Sequence, residues 1–180
     1  LCVGAVDATL AGSFACHRSN LTVNGATTQV VQIGITGAST TLTVSGVGVS
    51  ITGITGAFLL NDKGVAGKLA IGGATVSGVT GVTVNVTSAF LNFNTTGAAA
   101  AASIGGQSFD YSTSDRFQFL ALGGTMDFIL STSAVSVTLT GTFGIEQSTQ
   151  SLNGSDTTVI KVSLEGVSTS LTVGSGASGI

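Results

Sequence analysis

Cys2, Cys16 and His17 are the only thiols and the only imidazole in the chain, and they are the residues best suited to hold a soft metal. A structural zinc site needs four ligands, usually with two cysteines a few residues apart. Here the pair is widely spaced and no second His or third Cys completes the set, so no metal and no cofactor is expected. A Cys2–Cys16 disulfide would require the chain to reverse near Asp7 to Thr9, where no turn residues occur. Two free or separately placed thiols are the first reading and a disulfide the second.

Asp110, Ser112, Ser114 and Asp115 space their oxygens like the opening of a calcium loop, but the sixth-position Gly and closing Glu are missing. A polar turn between Phe109 and Phe117 is the expected form. Asp62 and Asp156 also fall in turn-like stretches, where an Asp side chain bonds nearby backbone N–H groups. Asn20, Asn85, Asn94 and Asn153 each begin an Asn-X-Ser/Thr triplet and are candidate glycosylation sites. Such triplets also arise by chance in a chain this rich in Ser and Thr. No serine lies beside a base in a nucleophile-elbow context, and the acids are not set among aromatic sugar platforms, so the expectation is that the chain is not an enzyme.

The elements that must carry these residues are strands. The chain of 180 residues has 27 Gly, no Pro, no Trp and 6% aromatics, so a core must be built from Val, Ile, Leu and Phe. The absence of Pro suits long unbroken ladders, because Pro removes a ladder donor. Val135, Val137, Leu139, Phe143 and Ile145 share one parity, and Val82, Val84 and Val86 repeat the alternation, which is the period of strands and not of helices. Only Ala98 to Ala102 looks briefly helical, and it reads equally as a tightly packed strand. Charged residues make up 7% of the chain and the net charge is −3, with Arg18, Lys63, Lys68, Arg116 and Lys161 scattered. Nothing there neutralises several phosphates, so no nucleic-acid partner is expected. No apolar run is long enough for a membrane-spanning helix, and one Tyr without Trp does not furnish the aromatic girdles of an outer-membrane barrel. With no initiator Met and no signal-peptide pattern, the chain is expected to be a piece of a larger precursor.

Long-range repetition organises the whole. Residues 1–51 align without a gap on residues 130–180 at an offset of 129, with 19 of 51 positions identical, among them Leu10, Gly12, Phe14, Gly37 and Leu42 against Leu139, Gly141, Phe143, Gly166 and Leu171. Residues 1–129 are then one full period and 130–180 the start of the next. A second offset of 32 relates residues 43–47 to 75–79 and Thr55, Phe58 and Leu59 to Thr87, Phe90 and Leu91. Four segments share a Thr or Ala, a Gly or Ser, a small residue and a Phe, ending at Phe14, Phe58, Phe90 and Phe143. Each precedes an Asn and Gly cluster (Asn24-Gly25, Asn61 to Gly64, Asn94 to Gly97, Asn153-Gly154) of the kind that closes hairpin turns. The four phenylalanines are the expected core plugs.

The Thr-Gly-small-Phe strands, the Asn94-Thr95-Thr96-Gly97 turn and the Gly-, Thr- and Val-rich repeats resemble the tandem-repeat regions of giant bacterial cell-surface and adhesin-like exported proteins, most of all arrays with an LEPR-XLL type leader. The resemblance implies a stalk or matrix role with no catalytic residue to carry over. The expected fold is all-β, an elongated tandem-repeat antiparallel architecture of stacked hairpins, either β-solenoid-like, a chained β-sandwich or a tube. The expected function is non-catalytic structural material of a stalk, surface fibre or biofilm-matrix filament, outside the cell or on its surface, with copies of itself or neighbouring repeats as partners. The alternative is a glycan- or ice-binding β module using outward rows such as Thr83, Asn85 and Thr87, with cell-surface glycans as partners.

Overall fold

The structure, a computed structural model, describes residues 6–23, 26–44, 46–152 and 154–173. The alternating β-branched pattern forms strands throughout: β1 (Val6–Val23), β2 (Ala26–Val44), β3 (Val47–Asn61), β4 (Gly64–Ile71), β5 (Gly73–Ser77), β6 (Val82–Asn94), β7 (Ala100–Ile104), β8 (Gln107–Tyr111), β9 (Phe119–Ser131), β10 (Val135–Leu152) and β11 (Ser155–Val173). The chain is all-β and antiparallel. The polyalanine stretch belongs to strand β7, where Ala100 and Ala102 are buried.

Nine strands make one sheet in the order β1-β2-β3-β4-β6-β9-β10-β11, with β5 continuing the β4 position between β3 and β6. The longest strands have 19 residues and so run about 60 Å at the usual rise. The hairpins of this sheet therefore lie edge to edge. While β6 and β9 pair across the excursion of residues 95–118, short turns join most consecutive strands to a lateral neighbour. Asn61 shows how: its Oδ1 accepts the N–H groups of Lys63 (2.9 Å) and Gly64 (3.0 Å), closing the turn from β3 to β4.

Residues directly opposite in antiparallel strands share a face, so the register assigns every row. One transverse row reads Phe14, Ile35, Gly56, Leu69, Leu91, Leu122, Ile145 and Val162, apolar across eight strands. A row on the other face reads His17, Gln32, Leu59, Ala66, Asn94, Phe119, Ser148 and Val159. The β7–β8 hairpin lies across this second face. The core is here, formed by Val30, Ala57, Leu59, Ala66, Phe119 and Ala121 of the sheet against Ala100, Ala102, Phe109 and Tyr111 of the hairpin. Small residues let the hairpin approach: a Cβ on Gly34 would sit 2.6 Å from the Ile104 carbonyl oxygen.

Midway along the strands, bulges form a belt. Register shifts fall between Ala11 and Ser13 on β1 and between Ile35 and Ala38 in the β2–β3 pairing, as well as between Val86 and Ser88 on β6 and between Thr140 and Thr142 on β10. Gly37, Gly53 and Gly166 supply the left-handed backbone there, with φ of 61°, 64° and 61°.

Burial corrects the expected core plugs. Phe14 is 54% exposed and Phe90 is 44% exposed, while Phe58 and Phe143 are half-buried, and none belongs to the core cluster. Phe14, Phe58 and Phe143 stand on the apolar face, over which no described element is laid; Phe58 crosses Gly67 and meets Phe93 with ring centroids 6.0 Å apart. Phe90 points to the other face, opposite Gly123. The offset of 32 thus relates β3 to β6 in sequence but not in facing, because their bulges fall at different places, beside Gly53 in one and at Thr87 in the other. What the offset does preserve is a glycine turn: Gly46 and Gly78 have φ of 83° and 84°.

Candidate functional site: the edges and faces of the sheet

The chemistry-bearing residues do not converge. Cys16 is an exposed free thiol on β1, opposite Ile33, and β1 runs extended from Val6 past it with no reversal at Asp7 to Thr9. Cys2 lies outside the described residues. His17 is on the opposite face from Cys16, against Gln32. No group of three or more His, Cys, Asp or Glu comes together among the described residues. Asp110 is exposed on β8, and Ser114–Arg116 forms a single 3-10 turn. Beside it the Thr113 hydroxyl bonds the Asp115 carboxyl and holds it below the usual carboxylate range.

Asn94 is the most tightly held polar side chain and corrects its reading as a glycosylation site. It is 1% exposed; its Nδ2 donates to the carbonyl oxygens of Ala98 (2.8 Å) and Arg116 (2.9 Å), and its Oδ1 accepts from the Thr96 N–H (3.0 Å) and hydroxyl (2.7 Å). Both amide hydrogens are spent, so no sugar can be attached without unmaking the turn. It is the pin that starts the excursion of β7–β8 out of the sheet and receives its return. Asn20 is exposed on β1 and Asn85 is half-buried between Thr75 and Asp127. Asn153 lies outside the described residues.

At the far end of the excursion, Tyr111 donates its hydroxyl to the Gly67 carbonyl oxygen at 2.9 Å and stacks with Phe109 (centroids 4.9 Å) and edge-on with Phe119 (4.7 Å). Burial pushes its pKa up to about 12, opposed in part by the Arg116 charge. Arg116 itself lies 5.2 Å from the centre of the Phe119 ring. Along the hairpin margin an open cleft of about 720 Å³ is lined by Gln32, Lys68, Asn92, Ser103, Asp110 and Tyr111 among others. Its lone amine and lone carboxylate form no acid–base pair with a nucleophile.

Past the bulge belt the covered face changes character. Thr9, Thr41, Ser50, Thr75, Asn85, Asp127, Thr140 and Ser168 lie opposite one another in turn across the sheet, polar at every position. The Thr140 hydroxyl donates to Asp127 Oδ1 at 2.6 Å, and the hydroxyls of Thr9 and Thr41 are bonded to each other. The polar row therefore runs across strands, not along β6 as Thr83, Asn85 and Thr87 suggested. Thr87 is the extra residue of a bulge and spends its hydroxyl on the Thr125 carbonyl oxygen at 3.3 Å.

The Ser148 hydroxyl is buried with no partner among the described residues, and the sheet edges carry rows of unpaired backbone groups. Among the described residues, no strand pairs the outer side of β1 or of β11. These margins are made by the duplicated segments: Val6–Val23 plus 129 is Val135–Leu152, the bounds of β10, and Ala26–Val44 plus 129 is Ser155–Val173, the bounds of β11. Register is duplicated too. Val6 opposes Val44 as Val135 opposes Val173, and the Ala11/Ser13 shift recurs at Thr140/Thr142. The signal for this in the sequence was the 129-residue offset itself; the β7–β8 core left no comparable signal.

Fold and register together define an all-β antiparallel protein whose nine-stranded sheet has copies of one hairpin at its two margins. No protein-family model, no curated protein and no solved structure matches the chain.

Proposed function

We propose that this chain is a non-catalytic structural repeat unit of an extracellular or cell-surface protein, extending a β-sheet into a stalk, surface fibre or matrix filament. The observation that carries this reading is the pair of equivalent hairpins at opposite margins of one sheet, in a chain whose chemistry-bearing side chains stay apart. A low charge content supports it, since only 7% of the chain is charged and few charges are available to keep β edges from pairing, although Asp7, Arg18, Asp156, Lys161 and Glu165 do fall on the edge strands. Partners are then neighbouring repeats or other copies of the chain. Electron microscopy of the native material tests it: regular fibres are the expected result, and discrete globular particles of uniform size would remove the filament role.

The polar row from Thr9 to Ser168 favours a second reading, a glycan- or ice-binding surface. Its members recur at the strand spacing of about 4.8 Å, which presents hydroxyl groups at regular intervals. Asn85 and Asp127 break the hydroxyl series at its centre, and Thr140 is already bonded to Asp127. Thermal hysteresis or glycan-array binding abolished by Thr75→Val would establish this reading, and inactivity in both assays would remove it.

A further inference from the structure

The two copies of the hairpin show different neighbours, and each supplies what the other lacks. β2 carries β3 on its outer side, whereas the equivalent side of β11 is open; β10 carries β9 on its outer side, whereas the equivalent side of β1 is open. We propose that the open edge of β11 receives a strand of β3 sequence, Val47–Asn61, from a following repeat in which β10–β11 takes the place of β1–β2, in the register β3 uses on β2, and that the open edge of β1 likewise receives a β9-type strand from a preceding repeat in which β1–β2 takes the place of β10–β11. This deepens the structural-repeat reading and rests on it. The register is specific: Thr41 opposes Ser50 and Leu42 opposes Val49, so Ser170 and Leu171 take those partners.

Side chains on the open edges retain the character of their covered counterparts. Ala38, 1% exposed beneath its neighbour strand, corresponds to Val167; Ile35, half-buried, corresponds to Leu164, which is 73% exposed. In the proposed register Leu164 meets Gly56 and Val167 meets Ile54, both from the pairing already made by β2. On the other margin Phe143 opposes Gly124, so Phe14 takes the same glycine, and the Thr125–Thr142 hydroxyl bond of 2.8 Å finds its counterpart in Ser13. The copies differ beneath β7–β8: Gly34 and Thr36 become Ser163 and Glu165, so the covering hairpin of an added unit seats differently, while the strand pairing is untouched. The continued order repeats every six strand positions, which at about 4.8 Å per strand gives an axial period of about 29 Å.

A register-specific cross-link tests the assignment. The full chain carrying Cys2→Ser, Cys16→Ser and Leu171→Cys is mixed under mild oxidation with a synthetic peptide of residues 47–61 bearing Val49→Cys. The controls are the same peptide with Ser50→Cys in place of Val49→Cys, and a scrambled sequence. Covalent adduct confined to the Val49→Cys peptide, seen by mass spectrometry with the circular-dichroism melt of the protein unchanged, is the expected result. The mirror arm pairs a Leu10→Cys chain with a peptide of residues 119–131 bearing Phe128→Cys. Adduct with every peptide alike, or with none, overturns the proposal. So does cross-linking of Leu10→Cys to Leu171→Cys between whole chains, which would mean that β1 and β11 pair directly. That last outcome would leave a filament role standing, whereas fibre absence by microscopy with adduct present would remove the role and leave the strand assignment.

Discussion

Asn94 concentrates more hydrogen bonding than any other side chain here, and its loss should be disproportionate to its size. Asn94→Ala orphans the Arg116 carbonyl and the Thr96 N–H in a buried turn and leaves the Ala98 carbonyl only its bond from the Thr96 hydroxyl, so it should cost about 3 kcal/mol in chemical denaturation, with the β7–β8 hairpin the first part to open by hydrogen exchange. Tyr111 gives a pH-dependent readout. Its pKa stands at about 12 against an ordinary 10.0, so its contribution to stability is complete below pH 10 and is lost as pH rises towards 12, when the unfolded chain ionises first. Absorbance titration of this single tyrosine should show the late midpoint in the folded protein and the ordinary one in denaturant. The phenylalanines sort by face and cover. Phe119→Ala should cost about 3 to 5 kcal/mol because the ring is buried against Tyr111, while Phe14→Ala should change the stability of the single unit by less than about 0.5 kcal/mol. Equal melting losses in the two variants would contradict this placement of the core.

At the scale of elements, the belt of bulges separates a half-sheet that is covered by a hairpin from one that presents hydroxyls. Each bulge inserts a residue and re-aims the side chains beyond it, so β6 turns Phe90 to the covered face and Asn85 to the polar row on that same face although five positions separate them. Gly37 and Gly166 hold φ of 61° with open space around the missing Cβ, so substitution there tests backbone conformation alone. Gly37→Val should destabilise by about 1 to 2 kcal/mol, the cost of a left-handed backbone for an L residue, and Gly37→Asn by less, as measured by thermal unfolding. The β7–β8 hairpin is the other decisive element. It supplies the second layer of the two-layer core, and its tip is tied to β2 by the Thr36 hydroxyl bonding the Gly105 carbonyl oxygen at 3.0 Å.

At the scale of the molecule, the described residues leave one apolar face of the large sheet uncovered and its two edges unpaired, which is the arrangement the proposed association would use. Leu10 on one margin and Ile160, Val162 and Leu164 on the other are all well exposed. Among the described residues, one ion pair joins side chains, Lys161 to Glu146 at 3.2 Å, and it lies between adjacent strands of the same unit. Association should therefore be insensitive to sodium chloride and strengthened by sulfate, because backbone ladders and apolar burial are not screened by salt. Sedimentation velocity across a salt series checks this; dissociation at high sodium chloride would point instead to a charge-driven contact.

The residues alone determined the all-β class, the turn at Asn61 and the duplication at 129 residues, because strand period, turn chemistry and internal identity are local or self-referential signals. The same alternation cannot say which parity is covered. A strand reads the same whether its apolar face meets a hairpin or stands open, so Phe14 and Phe90 were expected inside and lie exposed, while Phe109, Tyr111 and Phe119 went unmarked and build the core. That choice is made by contacts between residues far apart in the chain, such as the Tyr111 hydroxyl on the Gly67 carbonyl, and by bulges that shift facing one residue at a time. The pattern in the chain therefore fixes strands and their repetition, and long-range pairing alone decides which face is covered and which edges stay unpaired among the described residues.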